Sequence, residues 1–146
     1  MDIRKYKRRG YNAEREFNKE LRNKHIWSWR IPSSGYRTGK FALPDVVGIL
    51  HGKIMGFEVK TTEKDEFSHS LKDTDPIIVW LRNSLSFPVE ARGFLVAKFI
   101  GNNRWKGQEI FQLEEGKERI FTFKRKGAVK ITHLLRQLHI TVSSLT

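Results

Sequence analysis

The chain has 146 residues, of which 28 are lysine or arginine and 16 are aspartate or glutamate, so its formal net charge is +12. This length suits one domain, and a hydrophobic content of 38% excludes a chain that is disordered throughout. There is no cysteine, which excludes disulfides and thiolate metal sites and fits an intracellular protein. No apolar run is long enough to cross a membrane, and the basic start is not followed by the apolar segment of a secretory signal.

The excess of positive charge is the first indication of function. A small domain this basic repels itself, so such an excess usually serves a polyanionic partner. Nucleic acid is the favoured partner, because we find no basic amphipathic helix with an apolar face suited to an acidic membrane. A basic protein whose charge serves only solubility remains an alternative at this point.

The first elements are predicted from charge and from apolar spacing. Residues 1–9 are predicted to form a basic arm that ends at Gly10. A helix is predicted over residues 11–24, because apolar residues recur there at every fourth position. The segments that follow are predicted as a strand over 26–31, a loop over 33–40, a strand over 46–50, a turn at His51-Gly52 and a returning strand over 54–60.

The pattern is weaker in the second half of the chain. Residues 61–75 are polar and are predicted to be irregular, and Asp75-Pro76 predicts the cap and first turn of a helix that ends near Leu85. Further strands are predicted over 93–100, 109–113 and 120–124, whereas residues 131–138 fit either a helix or a strand. The order predicts an α/β fold in a single domain, residues 1–146, with a central mixed sheet flanked by helices.

The returning strand carries the most specific pattern of charged residues. Side chains alternate between the two faces of a strand, so its apolar residues can enter the core while Glu58 and Lys60 share the other face. Asp45 directly precedes the strand over 46–50. If the two strands pair as a hairpin, Asp45 comes close to Glu58.

This combination of residues fits metal-dependent phosphodiester cleavage. Two neighbouring carboxylates repel each other, a divalent cation removes that repulsion, and oxygen-only ligands suit magnesium or manganese. Such a cation would polarise a phosphate and activate a water molecule, and Lys60 could orient that water or stabilise the developing charge. The alternative is a surface ion pair between Glu58 and Lys60 on the solvated face of a sheet.

Two further features are predicted to lie near this pattern. Glu14 borders the apolar stripe of the first helix and can point toward the sheet, although an ordinary surface glutamate is the alternative. Arg30 is followed by a loop from Ser33 to Lys40 that is rich in serine, glycine and basic residues. Such a loop can contact phosphate, or it can be an ordinary solvated loop.

Four short motifs occur in a fixed order along the chain. They are Gly10-x-x-x-Glu14-Arg15, Arg30-x-Pro32-x-Ser34-Gly35, Pro44-Asp45 and Glu58-x-Lys60-Thr61. Together they resemble the motifs of the archaeal-type Holliday junction resolvases, which also occur in viruses and belong to the PD-(D/E)xK nuclease superfamily. The match covers residues 10–61 and weakens beyond Thr61.

The resemblance implies a restriction-endonuclease-like fold and a homodimeric nuclease that uses Mg²⁺, with Mn²⁺ as a substitute, to resolve four-way junctions by paired symmetric nicks. The catalytic residues that it implies are Glu14, Ser34, Asp45, Glu58 and Lys60. The metal-binding residues are Glu14, Asp45, Glu58 and Val59. The DNA-binding residues are Arg9, Arg15, Arg30, Ser34, Arg37 and Lys40.

A homodimer of this protein must overcome the repulsion between two surfaces of +12 charge. An apolar interface can offset that repulsion. Trp80, Leu81 and Leu85 are the candidates for such an interface, because they are apolar and lie in the less well-matched half.

Three functions are compatible with the sequence: a junction-resolving endonuclease, a restriction or repair nuclease on the same fold, and a nucleic-acid-binding protein without catalysis. The carboxylate pair with Lys60 argues against simple binding, and the first two motifs favour the junction-resolving nuclease. We expect the protein to act on DNA within an archaeal or bacterial cell, where it could also be virus-encoded.

Overall fold

A computed structural model of the chain describes residues 2–32, 42–111 and 116–140, and its first helix is longer than predicted. Helix α1 runs over Ile3–Asn23 and includes Gly10, so the basic residues at the start lie on this helix rather than on a separate arm. Asp2 caps the helix, because its side chain accepts a hydrogen bond from the backbone N–H of Arg4 at 3.0 Å. A glycine inside a helix costs only about 1 kcal/mol relative to alanine, and the buried stripe of α1 offsets that cost.

Within the described residues, five strands form the central sheet: β1 (Trp27–Arg30), β2 (Val46–Leu50), β3 (Lys53–Thr62), β5 (Glu90–Phe99) and β6 (Arg104–Ile110). Their order across the sheet is β1-β2-β3-β5-β6. The pair β3–β5 is parallel and the other neighbours are antiparallel, which confirms the predicted mixed sheet. The prediction for β6 is wrong in its start, because the strand begins at Arg104 rather than at Glu109.

A two-stranded sheet corrects the prediction that residues 61–75 are irregular. Strand β4 (Glu66–Lys72) pairs antiparallel with β7 (Glu118–Lys124). Phe67 and Leu71 of β4 are turned inward, whereas the intervening positions are polar, so the segment looks polar as a whole. Its partner strand is about 50 residues away in sequence, and such a pairing leaves no local signal.

The helices cover both faces of the central sheet. Helix α2 (Pro76–Asn83) is followed by a 3-10 turn at Ser84–Ser86, and α3 (Ile131–Gln137) shows that the ambiguous segment is helical. One apolar core joins α1 and α3 to the sheet, and a second joins α2 and the β4–β7 pair to its other face. No helix in the described part of the chain is both long enough and apolar enough to cross a membrane.

Gly56 on β3 allows a close contact that positions the start of β2. A Cβ atom at this position would lie 2.6 Å from the ring of Trp80 on α2 and 2.7 Å from the ring of Pro44. Both rings therefore pack directly on the backbone of β3. The contact fixes Pro44, and with it the residue that follows, against the catalytic strand predicted from the sequence.

Candidate active site

Asp45 lies at the start of β2, beside Glu58 on β3. The hairpin between β2 and β3 is present as predicted. The backbone N–H of Asp45 donates to the carbonyl of Phe57 at 3.1 Å, and the Asp45 Oδ2 atom accepts a hydrogen bond from the backbone N–H of Val59 at 2.8 Å. These bonds hold the Asp45 carboxylate at the strand that carries Glu58.

Lys60 lies on the same face of β3 as Glu58. Its Nζ atom is 3.1 Å from Oε1 of Glu58, and the side chains of Lys60 and Glu58 are 34% and 13% exposed. An ion pair is therefore present, but it is not a pair on a fully solvated face. Glu58 is largely removed from water, which changes its acid–base behaviour.

Burial raises the pKa values of both carboxylates. Burial and then the charge of Asp45 raise the pKa of Glu58 to about 7. Burial also raises the pKa of Asp45, although the N–H of Val59 and the charge of Lys60 oppose that rise. Burial disfavours the charged form of Lys60, but the nearby carboxylates, Glu58 first among them, together outweigh burial, so the pKa of Lys60 is raised. Additional positive charge at this site would be favourable.

Glu14 reaches the same site from α1. The residue is buried, and its Oε2 atom accepts a hydrogen bond from Nε of Arg30 at 2.7 Å. Burial and then the charge of Asp45 raise the pKa of Glu14, whereas Arg30 lowers it. The alternative of an ordinary surface glutamate is wrong, because α1 and β1 bring Glu14 and Arg30 to the Asp45 side of the site.

The oxygen donors of this site fit a hard divalent cation bound by few protein ligands. Among residues 2–32, 42–111 and 116–140, no three His, Asp or Glu side chains are arranged to enclose a metal ion. The charge of Asp45 acts on Glu58, so these two carboxylates are close enough to share a cation, and Glu14 lies beside them in its ion pair with Arg30. Mg²⁺ commonly takes one or two protein carboxylates and completes its shell with water and substrate phosphate. The arrangement of Asp45 and Glu58 matches that mode of binding.

The other predicted site residues lie around this centre or outside the described residues. Val59 turns its side chain into the core, so only its backbone is available to the site. Arg15 is exposed on α1, and Arg9 forms an ion pair with Glu63. The predicted residues that fall outside the described ranges are Ser34, Arg37 and Lys40.

Comparison with known proteins identifies the family. A family model for the archaeal Holliday junction resolvase (Hjc) matches residues 5–142. The chain belongs to this family. Among solved structures, the 1.6 Å structure of Archaeoglobus fulgidus Hjc, a Holliday junction resolvase from an archaeal hyperthermophile, superposes with a TM-score of 0.59 and 18% sequence identity. The superposition covers 86% of this chain and 98% of that chain. No match was found among curated protein sequences.

Membership of the Hjc family establishes the class of reaction. The protein is a Holliday junction resolvase, and so an endonuclease that acts on DNA junctions. Resolvases of this family are metal-dependent nucleases. The net charge of +12 is thus explained by a polyanionic substrate.

Two residues near the site of this Hjc-family resolvase were missed by sequence reasoning. The charge of Asp75, predicted only as a helix cap, raises the pKa values of both Glu58 and Lys60. His69 on β4 is half-buried, and burial, followed by the charge of Lys60, lowers its pKa. Both residues reach the site through β4 and the turn after it, where the sequence predicts an irregular chain. No spacing in the sequence could have placed them there.

Proposed function

We propose that Asp45 and Glu58 bind Mg²⁺, with Mn²⁺ as an effective substitute, and that this site nicks the strands of a four-way junction. When bound, the cation polarises the scissile phosphate and activates the attacking water. The observation that carries the proposal is a pair of partly buried, adjacent carboxylates with raised pKa values. Such a pair is unfavourable until a cation compensates its charge. The backbone of Val59, whose N–H fixes Asp45, completes the protein side of the site.

The remaining catalytic residues have supporting roles in this proposal. Lys60 stabilises the negative charge that develops on the phosphate, and its raised pKa keeps it protonated for that purpose. Glu14 holds Arg30 at the edge of the site and acts as an outer carboxylate for the bound cation. Ser34 belongs to the matched serine motif, and its proposed contribution to catalysis rests on that resemblance.

Arginine residues around the site are proposed to hold the DNA backbone. Arg15 is exposed on α1, and Arg30 lies beside Glu14. Guanidinium groups suit this role because they bind phosphate oxygens through two parallel hydrogen bonds. The further proposed DNA contacts are Arg9, Arg37 and Lys40. Acting on DNA, the protein would work inside the cell.

We also propose a homodimer, because resolving a junction requires nicks in two opposing strands and one site makes one nick at a time. Two of the three candidate interface residues are not at the surface. Trp80 and Leu81 are each only 5% exposed and belong to the core. Leu85 is 70% exposed and lines a groove together with Phe87 and Phe111. This groove offers apolar area that a second copy can cover.

A cleavage assay tests the proposed reaction. The protein is incubated with Mg²⁺ and equal amounts of four-way junction, linear duplex and single strand. We expect paired symmetric nicks and ligatable products from the junction, and we expect excess chelator to stop cutting while junction binding persists. Full activity in chelator would contradict the metal requirement, and equal cutting of linear duplex would contradict junction selectivity.

Light scattering tests the proposed dimer in the absence of DNA. We expect the mass of two chains for the wild-type protein and the mass of one chain for Leu85→Lys. Ile120→Lys is the matched control, because Ile120 is 65% exposed on β7 and does not line the groove. A wild-type monomer, or a Leu85→Lys variant that remains dimeric, would count against this interface.

A further inference from the structure

The side chain of Arg30 is held by two residues of α1. Its Nε atom donates to Oε2 of Glu14 at 2.7 Å, and its Cζ atom lies 4.7 Å from the ring centroid of Tyr11. Tyr11 and Glu14 are three positions apart on α1, so their side chains lie on the same side of the helix. The Arg30 side chain is 18% exposed. One nitrogen of the guanidinium is therefore bonded to a carboxylate, and the guanidinium carbon lies over an aromatic ring.

Among the residues that the structure describes, this arrangement leaves the outer edge of the guanidinium without a partner. Within the part of the chain that the structure describes, neither Nη atom of Arg30 donates a hydrogen bond. Arg30 also lies near Asp45: its charge lowers the pKa of Asp45, and the backbone N–H of the next residue, Ile31, donates to the Asp45 carbonyl at 2.8 Å. A phosphate at the Asp45–Glu58 site would thus meet the unbonded edge of Arg30.

We propose that Tyr11 is a positioning residue for junction cleavage, because its ring sets the plane of the Arg30 guanidinium so that the Nη groups contact the scissile phosphate. This inference rests on the proposed role of Arg30 in binding phosphate. The planar guanidinium forms two parallel bonds to phosphate oxygens only when its plane is correctly turned. The hydrogen bond to Glu14 fixes only the Nε atom of Arg30, so the plane of the guanidinium can still rotate about that hydrogen bond. Stacking on Tyr11 removes this freedom.

A pair of substitutions separates the ring of Tyr11 from its hydroxyl. Tyr11→Phe keeps the ring, and we expect it to cleave junctions at the wild-type single-turnover rate. Tyr11→Leu removes the ring, and we expect a rate about tenfold lower, a factor that corresponds to about 1.4 kcal/mol. Junction affinity in chelator should stay near the wild-type value in both variants, because the charge of Arg30 is retained.

Tyr6→Leu is the matched control on the same helix. Arg9 lies over the ring of Tyr6 at 5.9 Å, and Tyr6 is 48% exposed. We expect this variant to keep the wild-type cleavage rate. A rate loss in Tyr11→Phe equal to that in Tyr11→Leu would overturn the role of the ring. A rate loss in Tyr11→Leu that only follows a loss of folded protein in thermal unfolding would overturn it as well.

A double-mutant cycle with Arg30→Lys distinguishes this inference from the proposed function. Lysine can keep the ion pair with Glu14 but lacks the planar fork, so Arg30→Lys should also cleave slowly. Adding Tyr11→Leu should then cause little further loss, because no guanidinium remains to be oriented. Multiplicative losses would overturn the inference about Tyr11 alone. Wild-type cleavage by Arg30→Lys would instead overturn the proposed role of Arg30, and the positioning role with it.

Discussion

Two clusters of partly buried charge in this resolvase have opposite arrangements of bonding partners. At the proposed catalytic site, burial raises the pKa values of Asp45 and Glu58, so their charged forms are disfavoured. Just beyond the C-terminal end of β3, the N–H groups of the Arg125 guanidinium all have acceptors within the chain. Its Nε atom donates to Asp65 Oδ1, Nη1 to the Ile100 carbonyl and Nη2 to the Glu63 carbonyl, each at 2.9 Å.

This contrast distinguishes a proposed metal-binding site, at Asp45 and Glu58, from a cluster around Arg125 that stabilises the fold. Arg125 joins the turn after β3, the turn after β5 and the end of β7, and it stacks over the ring of Phe99 at 5.3 Å. A buried charge whose bonds are all made within the chain contributes stability. A buried carboxylate pair without sufficient positive charge lowers stability until a cation arrives. Substitutions in each cluster should therefore have opposite effects on stability.

The largest expected effect is the loss of cleavage when either carboxylate of the catalytic cluster becomes an amide. We expect Asp45→Asn and Glu58→Gln each to lower the single-turnover rate on the order of 10³-fold, because the cation loses a charged ligand. Junction binding in chelator should be retained or tightened, because a negative charge near the DNA is removed. Gel-shift and cleavage assays measure both quantities.

Glu20→Gln serves as the control, because Glu20 lies near the C-terminal end of α1 and makes no side-chain hydrogen bond among the described residues. Glu14→Gln and Lys60→Ala should also lose activity, as the proposed roles require. A Glu58→Gln variant that cuts at the wild-type rate would exclude Glu58 from the site.

The second prediction concerns the stability of the metal-free protein. Because the pKa of Glu58 is raised from 4.5 to about 7, the folded state holds a proton that the unfolded state releases between these pH values. The free energy of unfolding should therefore fall as the pH rises from 4.5 to 7. The glutamine of Glu58→Gln has no such dependence, so this variant should be more stable than the wild type above pH 7, by at most about 3 kcal/mol.

Urea unfolding in chelator at pH 5 and pH 8 measures this difference. Glu66→Gln, at an exposed position on β4, is the control and should show no comparable gain. Mg²⁺ should stabilise the wild type more than Glu58→Gln, because only the wild type keeps both carboxylates. Equal stability of the two proteins at pH 8 would mean that the catalytic cluster is not a source of instability.

The sequence could predict the hairpin of β2 and β3 because its information is local. Alternation along β3 places Glu58 and Lys60 on one face, and a short turn between β2 and β3 brings Asp45 to Glu58. The ion pair of Glu14 with Arg30 joins residues 16 positions apart on different elements, and only the packing of α1 on β1 creates it.

The errors in the sequence prediction have a similar cause. Strand β4 is stabilised by pairing with β7, far away in sequence, and Arg125 gains its partners from two other turns. The basic residues before Gly10 continue the helix because the buried stripe of α1 outweighs the weak helix propensity of one glycine. Trp80 and Leu81 are apolar, but the sequence around them does not show which side of α2 packs against the sheet.

The third prediction concerns the structural cluster around Arg125. Arg125→Lys keeps the positive charge but loses the planar guanidinium, so the carbonyls of Ile100 and Glu63 lose their hydrogen-bond donor. We expect the free energy of unfolding to fall by about 2 kcal/mol, with the cleavage rate of the folded protein unchanged. Chemical denaturation measures the loss, and Arg136→Lys on the exposed side of α3 is the control. A lower cleavage rate without a loss of stability would place Arg125 in the DNA interface instead.

The smallest expected effect concerns Arg15, which belongs to neither buried cluster. It is exposed on α1, and it makes no ion pair within the residues that the structure describes. If Arg15 contacts one phosphate, Arg15→Ala should weaken binding to all junction sequences alike and reduce the slope of log affinity against log salt by about 1. Arg136→Ala removes the same charge from α3 and should change this slope less, because it tests net charge without a phosphate contact. Binding isotherms in chelator over a range of salt concentrations give both slopes. Equal slopes for the two variants would show that Arg15 acts only through the overall charge of +12.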